Sequence, residues 1–497
     1  MKNKVELLLN THGPMLSGQL ARYYESTYSV SNEAARQALS RASRPVFKIT
    51  KLSFDKNQKF FYLENQFNSA QYINALIHAI ENHSKVNNTY IIAFLAQNGY
   101  VSKKLLASFV SSPVGKVRGH KMHERVISDL TQTGIISDFD EARWELAYDF
   151  NKSVSFNISR ATGLEVAKKH IVNDFASWAG KMNLSAYSSA HILNEKAQFA
   201  NFQWAYTSPS YVHPLFDTKK NRPGFVVADV FYGKTAKKQD IQFIVDKVNI
   251  IRSFKNLPTF LPFLILERAE HDALMHLKEN KISLAIISNI FDTRYSELLG
   301  NIVSLFTNAS AIIASNPGKL EEFFIAIGKA EGRFNNLAGD MFELMVGNYY
   351  YEIGVNYFEI KRTIRIPNER QLREIDVLAK KDGCMYVVEC KATRSMVNYD
   401  DAEKWLGVKI PQIRKWLLLD KYEKTQNHIF QLWSVSGFTD EAKELLLTHQ
   451  KSVSASKYNI EFLDKERMRE IASKNNAKTF LSLLNQHFSE DYIRDSW

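Results

Sequence analysis

The sequence predicts a multidomain α+β protein, and three observations carry that prediction. The first is length: 497 residues exceed what a single hydrophobic core usually organises, so three or four domains are expected. The second is composition. With 45% hydrophobic and 24% charged residues, 20 Gly and 11 Pro, the chain has the balance of a folded protein, which excludes collagen-like and broadly disordered classes. The third is patterning, because helical apolar spacing dominates up to about residue 160, whereas strand-like runs alternate with helices beyond 164. Boundaries are expected at 1–68, 71–160, 164–318 and 319–497.

No stretch approaches the roughly 18 apolar residues of a membrane span, and the run Leu7 to Leu9 behind Glu6 is too short for a signal peptide. A cytoplasmic protein with no membrane partner is expected. Cys384 and Cys390 are too few for a Cys-rich zinc module or a disulfide framework and read as reduced packing residues. Lys and Arg outnumber Asp and Glu by 64 to 53, with ten basic against five acidic residues in 1–64. That excess points to a polyanionic partner, with plain solubility as the alternative.

Residues 5–64 alternate short helices and turns, then end in two strand-like runs. Leu7, Leu8 and Leu9 open the first helix and His12-Gly13-Pro14 stops it. Ser17 to Tyr24 form the second, with Leu20 and Tyr23 inward. Ser31 is a suitable N-cap for a third helix, Asn32 to Ala42, whose apolar stripe of Ala35, Ala38, Leu39 and Ala42 leaves Arg36, Arg41 and Arg44 available to a groove. The strands Phe47 to Phe54 and Lys59 to Leu63 flank a turn at Asp55-Lys56-Asn57. This order resembles a winged helix-turn-helix. A second pass of the same type is expected from Tyr90 to Asn98, Ser102 to Val110 and His120 to Thr133, before Ile135 and Ile136. Arg118 and Lys121 head a basic cluster at the entrance of its last helix, where a phosphate is favoured by side chains and helix dipole. His120 and His123 lack partners at zinc spacing and are expected at the surface.

From Leu164 a helix is expected to about Leu184. Strands Phe225 to Tyr232, Phe260 to Leu266 and Ile282 to Ile287 then alternate with helices Gln239 to Phe254 and Ala269 to Asn280. Asp229 lies in a strand whose residue two places on is Phe231. Where an acid, any residue, then Lys would carry chemistry, the Lys is missing, so this block reads either as a degenerate copy of the domain that follows or as a non-catalytic domain for assembly or sensing.

The sharpest constellation lies in residues 337–391. A helix from Leu337 to Tyr351 carries Phe342, Met345, Val346 and Tyr349 on one stripe, with Glu343 at its edge, and Gly354 ends it. A strand from Tyr357 to Ile366 follows, turned by Pro367-Asn368-Glu369-Arg370. Two further strands, Gln371 to Lys380 and Cys384 to Lys391, are joined through Lys381-Asp382-Gly383, and Asp-Gly between such runs signals a two-residue hairpin. If Lys381 pairs with Cys384, Asp376 lies across from Glu389 and Glu374 across from Lys391, all four on one face. Opposed carboxylates repel at this spacing, and a divalent cation removes the penalty. Oxygen-only donors suit Mg²⁺ or Mn²⁺ better than zinc. The alternative is a surface salt-bridge ladder, worth up to about 1 kcal/mol per pair. Val387 and Val388 weigh against it, because their run reads as interior.

Glu343 in a helix, then Arg373-Glu374-Ile375-Asp376-Val377, then Val387-Val388-Glu389-Cys390-Lys391 resembles the PD-(D/E)XK nuclease superfamily. Ile375 stands where the family's leading Pro would be. The resemblance implies a restriction-endonuclease-like fold in which Asp376 and Glu389 ligate metal, the Cys390 carbonyl is a further ligand, Lys391 assists the water, and Glu343 orients or shares in coordination. A helix expected to open at Pro411 and run to about Tyr422 carries Gln412, Arg414 and Lys415. Family members place a Gln and basic residues there to meet the phosphate backbone. The run Phe430 to Val435, Ser436 to Ala442 and the helix after it is similar to the tail of Mrr-like nucleases. Together the resemblance covers about 335–465.

The leading expectation is therefore a metal-dependent endonuclease cutting double-stranded DNA in restriction or anti-phage defence, as a homodimer with a possible defence-system partner protein. The alternative is a DNA-binding regulator or sensor whose nuclease domain is conditionally activated or inert. RNA and junctions are other candidate substrates.

Overall fold

Helix caps and apolar spacing set the first module. The computed structural model describes residues 4–139, 147–150, 158–186, 189–291, 295–304, 307, 338–365, 372–393, 395–419, 427–453 and 458–488. Helices α1 (Lys4–His12), α2 (Ser17–Tyr28) and α3 (Asn32–Arg41) alternate with strands β1 (Met15–Leu16), β2 (Val46–Ile49) and β3 (Phe60–Leu63). Ser31 caps α3 by accepting the Ala34 N–H at 3.3 Å, a contact worth about 1 kcal/mol. The three strands form an antiparallel sheet in the order β1-β3-β2. Leu8, Leu9, Leu20, Ala35, Leu39 and Phe61 are in a core of their own beneath it. The strand expected to reach Phe54 stops at Ile49, and a single 3₁₀ turn occupies Asp55–Asn57.

The next module repeats this order behind one additional leading helix. It comprises α4 (Ala70–His83), α5 (Lys85–Ala96), β4 (Tyr100–Ser102), α6 (Lys103–Ser108), α7 (His123–Gln132), β5 (Ile136–Phe139) and β6 (Ala147–Phe150), with strand order β4-β6-β5. Helix α7 starts at His123, three residues later than expected. His123 is buried rather than exposed, its ring stacked on Tyr90 at 5.6 Å with Nδ1 2.9 Å from the Tyr90 hydroxyl. The basic residues around it suggested surface, but an aromatic partner 33 positions away takes it inside. Burial lowers its pKa to about 4, so it is neutral.

A long helix, α8 (Ile158–Lys181), leads into the middle sheet. Its strands are β7 (His191–Ile192), β10 (Tyr206–Ser210), β11 (Gly224–Phe231), β12 (Phe260–Leu266) and β13 (Ser283–Ile286), with a small hairpin of β8 (Gln198–Phe199) and β9 (Phe202–Gln203) between the first two. The order is β13-β12-β11-β10-β7, and α9 (Gln242–Arg252) and α10 (His271–Glu279) make the crossovers. Strands β7 and β10 escape a reading of the sequence because Tyr206-Thr207-Ser208-Pro209-Ser210 is polar and contains Pro. Burial on both faces nevertheless makes it an inner strand. Residues 1–138 with 146–296 form one compact unit, and one apolar core runs unbroken from Tyr72 through Leu106 and Phe109 to Val227 and Phe243.

The second unit, residues 297–497 with 139–145, holds the candidate site. Helix α11 (Ile287–Ile290) closes the first unit; in the second, α12 (Ala338–Glu352) precedes β14 (Tyr357–Arg365), β15 (Leu372–Lys381) and β16 (Cys384–Lys391). A continuous helical stretch follows, made of α13 (Tyr399–Lys404), a π-turn (Trp405–Lys409) and α14 (Ile410–Leu417). Strand β17 (Asn427–Ser434), α15 (Asp440–Ser452), β18 (Asn459–Leu463), α16 (Lys465–Lys474) and α17 (Lys478–His487) complete it. Strand order is β14-β15-β16-β17-β18, antiparallel for the first two pairs and parallel for the last two. The helix expected to open at Pro411 begins twelve residues earlier, capped by Asn398. The π-turn reconciles this with proline. Its Ile410 N–H reaches the Trp405 carbonyl, and the next residue, Pro411, has no N–H to place. The expected turn at 367–370, the boundary at 318/319 and the helix end near 422 lie outside the described residues. Among the described residues, no helix is long and apolar enough to cross a membrane.

Candidate active site

The β15–β16 hairpin builds the site. Asp382 (φ 49°) and Gly383 (φ 75°) both take the left-handed backbone that the two-residue turn demands, and Asp-Gly supplies it. Pairing then runs from Lys381↔Cys384 to Val377↔Val388, the register deduced by counting. Asp376 and Glu389 follow as the next pair along that count. Beyond Val377 the ladder gives way: the Cys390 N–H donates to Asp376 Oδ2 at 2.7 Å, so a side chain occupies the place of a ladder carbonyl.

Alternation along β16 sends Met385, Val387 and Glu389 toward the α13–α14 side, where Trp405, Leu406, Ile410 and Ile413 share their core. Tyr386 turns the other way and meets Tyr350 of α12 at 5.5 Å. Glu389 is thus a carboxylate at the rim of an apolar layer, only 6% exposed. Two ammonium groups hold it. Lys391 Nζ is 2.9 Å and Lys409 Nζ 2.5 Å from Glu389 Oε1. Burial alone would oppose its ionisation, but Lys409 and then Lys391 outweigh burial and keep the carboxyl at about 2. Glu389 reciprocally raises Lys391 above its ordinary value.

Asp376 experiences the opposite balance. Burial, then the negative charges of Glu389 and Glu343, push its carboxyl well above the usual range. Burial also drives the Cys390 thiol up, with the Asp376 and Glu343 charges adding to the effect. Three carboxyl groups therefore interact strongly around the end of β15 and β16, and Glu343 reaches them from the buried face of α12. Among the described residues, no three His, Cys, Asp or Glu side chains are drawn close enough to hold a metal ion as they stand. The donors are nevertheless all carboxylate oxygens, the set that a hard cation takes, and Asp376 is the member short of positive charge.

Sequence reasoning missed Lys409. It lies 18 residues beyond Lys391 in a helix that was expected to start later, and only the π-turn brings it to Glu389. Gln412 is tied to the sheet, with Arg373 Nε donating to its Oε1 at 2.6 Å. Arg414 lies over the Tyr458 ring at 5.6 Å, and Lys415 is exposed. In the first module Arg36, Arg41 and Arg44 are exposed along and just after α3, as expected. Arg118 is exposed too. Lys121 is engaged internally, donating to Asp129 Oδ2 at 3.0 Å and to the Lys51 carbonyl at 2.8 Å, which takes it out of a simple phosphate-facing cluster.

No curated protein matches the chain. A solved structure described as a crystal structure of a protein of unknown function, AF1548, matches with 15% identity over 31% of this chain and 85% of that one, at a TM-score of 0.19. The family model of the nuclease-related domain, NERD, matches residues 338–447, a span that contains Glu343, Asp376, Glu389, Lys391, Lys409 and Gln412. The carboxy-terminal part of the chain is therefore similar to a nuclease-related domain.

Proposed function

We propose that the carboxy-terminal domain is a PD-(D/E)XK-type nuclease that hydrolyses DNA phosphodiester bonds with Mg²⁺ or Mn²⁺. The observation that carries this reading is the pair of carboxyl groups on neighbouring strands, half-buried Asp376 and buried Glu389, with Lys391 two residues on from the second. Asp376 and Glu389 would hold the ion, with Glu343 behind them and the Cys390 carbonyl beside them. A bound divalent cation supplies the charge that lowers a water's pKa and neutralises a phosphate. Lys391, raised by Glu389 and 36% exposed, stays protonated and faces outward far enough to meet a phosphate. It therefore acts as a fixed cation that stabilises developing negative charge rather than as a general base. Lys409 keeps Glu389 ionised before any metal arrives.

The two amino-terminal modules, read as winged helices, would position a duplex through the exposed Arg36, Arg41 and Arg44, with Arg118 adding to it. Binding of this kind falls steeply with salt. Restriction or anti-phage defence in the cytoplasm, with a homodimer cutting both strands, is the setting this combination suits by analogy. The test is incubation of plasmid, linear duplex and single-stranded DNA with the full chain in Mg²⁺, Mn²⁺ or EDTA, beside Lys391→Ala. Metal-dependent products from the wild type alone are expected; equal products from both proteins would refute the assignment.

A further inference from the structure

The middle sheet has the same plan as the carboxy-terminal one. Each has five strands paired antiparallel, antiparallel, parallel and parallel in chain order, behind a leading helix, α8 or α12. The likeness extends to single hydrogen bonds. Beyond the third strand, Ala236 bridges Ala269, with Ala236 N–H donating to the Arg268 carbonyl and Glu270 N–H to the Ala236 carbonyl, both at 2.9 Å. At the same place in the other domain Val397 bridges Phe438, with Val397 N–H donating to Gly437 and Thr439 N–H to Val397, both at 3.0 Å.

The two third strands each carry an acid gripped by a lysine of the following crossover helix. In the carboxy-terminal domain the pair is Glu389 and Lys409; in the middle domain it is Asp229 and Lys247, 2.6 Å apart. Counting from these acids, Phe231 stands where Lys391 stands. Extending the Tyr206↔Ala228 pairing by one place puts Ala205 opposite Asp229, where the other domain has Asp376. One acid of the constellation is kept, and its partner acid and its lysine are gone.

The vacated face is filled from within. Lys247, with no exposed surface, donates to the Ser108 carbonyl at 2.6 Å, to the Gln203 carbonyl at 3.0 Å and to Asp229 Oδ2. Its three ammonium protons are thereby matched by three acceptors. Phe109, next to Ser108 at the end of α6, stacks on Phe243 of α9 at 4.4 Å and lies 5.8 Å from Phe231. We propose that the middle domain is a nuclease-type fold without chemistry, whose former catalytic face now serves as a closed joint for the second helical module, locking that module and the sheet into one body. The inference rests on the reading of Asp376, Glu389 and Lys391 as the active constellation.

Two arms on the full chain test it. In thermal unfolding, Lys247→Met leaves a carboxylate buried without its cation and should lower the midpoint by on the order of 10 °C, whereas Asp229→Leu/Lys247→Met should recover part of that loss, the Ser108 and Gln203 carbonyls and the Ala205 N–H having lost their partners. Equal loss in both variants, or none in the first, overturns the joint. In Mn²⁺ titration, tight binding should vanish with Asp376→Asn and persist in Asp229→Leu/Lys247→Met. Binding that survives the first variant and disappears in the folded second one overturns the proposal. A wild-type chain that binds no Mn²⁺ at all would count against the carboxy-terminal assignment instead, and the unfolding arm would still decide the joint.

Discussion

Asp376→Asn should stabilise the metal-free protein while abolishing cleavage. Desolvation, then the negative charges of Glu389 and Glu343, raise the carboxyl of the half-buried Asp376 well above the usual range, so its ionised form is disfavoured in the fold. Asparagine keeps an oxygen for the Cys390 N–H, which now reaches Oδ2 at 2.7 Å, and removes the charge. Relieving a functional strain of this kind typically yields about 0.5–2 kcal/mol. For a unit of this size that corresponds to a rise of roughly 1–8 °C in the unfolding midpoint at pH 7 to 8. The sign with pH follows from linkage: a raised carboxyl destabilises the fold fully above its folded pKa and not at all below the ordinary 3.8. The gap between variant and wild type should therefore close on acidification toward pH 4. Added Mg²⁺ should raise the wild-type midpoint and leave the variant unmoved. Calorimetry in EDTA and in Mg²⁺ at several pH values measures all of this. A variant less stable than wild type without metal would refute the electrostatic reasoning, and a variant that still cuts would refute the site.

Further outcomes follow from other parts of the molecule. Lys409→Met removes one of two cations from Glu389 and should lower the metal-free midpoint, with Mg²⁺ restoring part of it, as thermal scans with and without the ion will show. His123, held neutral at about 4 against an ordinary 6.5, contributes stability that is present above pH 6.5 and is lost as pH falls toward 4. The loss is about 3 kcal/mol and should be absent from denaturant titrations of His123→Gln. Arg36→Ala or Arg41→Ala should weaken duplex binding and reduce the slope of log affinity against log salt by about 1 each, whatever the DNA sequence, in fluorescence anisotropy. An unchanged slope would remove α3 from the interface.

What the sequence disclosed depended on how local the determinant was. The hairpin register of Lys381 and Cys384 was legible because Asp382-Gly383 dictates a turn, and period-two counting did the rest. Strand β12 was legible from end to end for a related reason, as a short apolar run between turn signals. Lys409 was hidden because a π-turn shifts a helix by one residue, and no spacing rule announces that shift. Strand β10 was hidden because its side chains are polar and its burial comes from neighbours in the sheet and α8 rather than from its own composition. His123 misled in the other direction, since charged neighbours in sequence say little about an aromatic partner in space. The unbroken core from α4 to β13 is likewise a matter of packing between distant segments, which composition along the chain does not announce.

The most direct measurement is the anomalous signal of manganese in crystals of the full chain grown with the ion. A peak is expected within coordination distance of both Asp376 and Glu389, with Lys409 drawn away from the Glu389 carboxylate. A peak elsewhere, or a Glu389 still gripped by both lysines in a crystal that holds manganese, would contradict it.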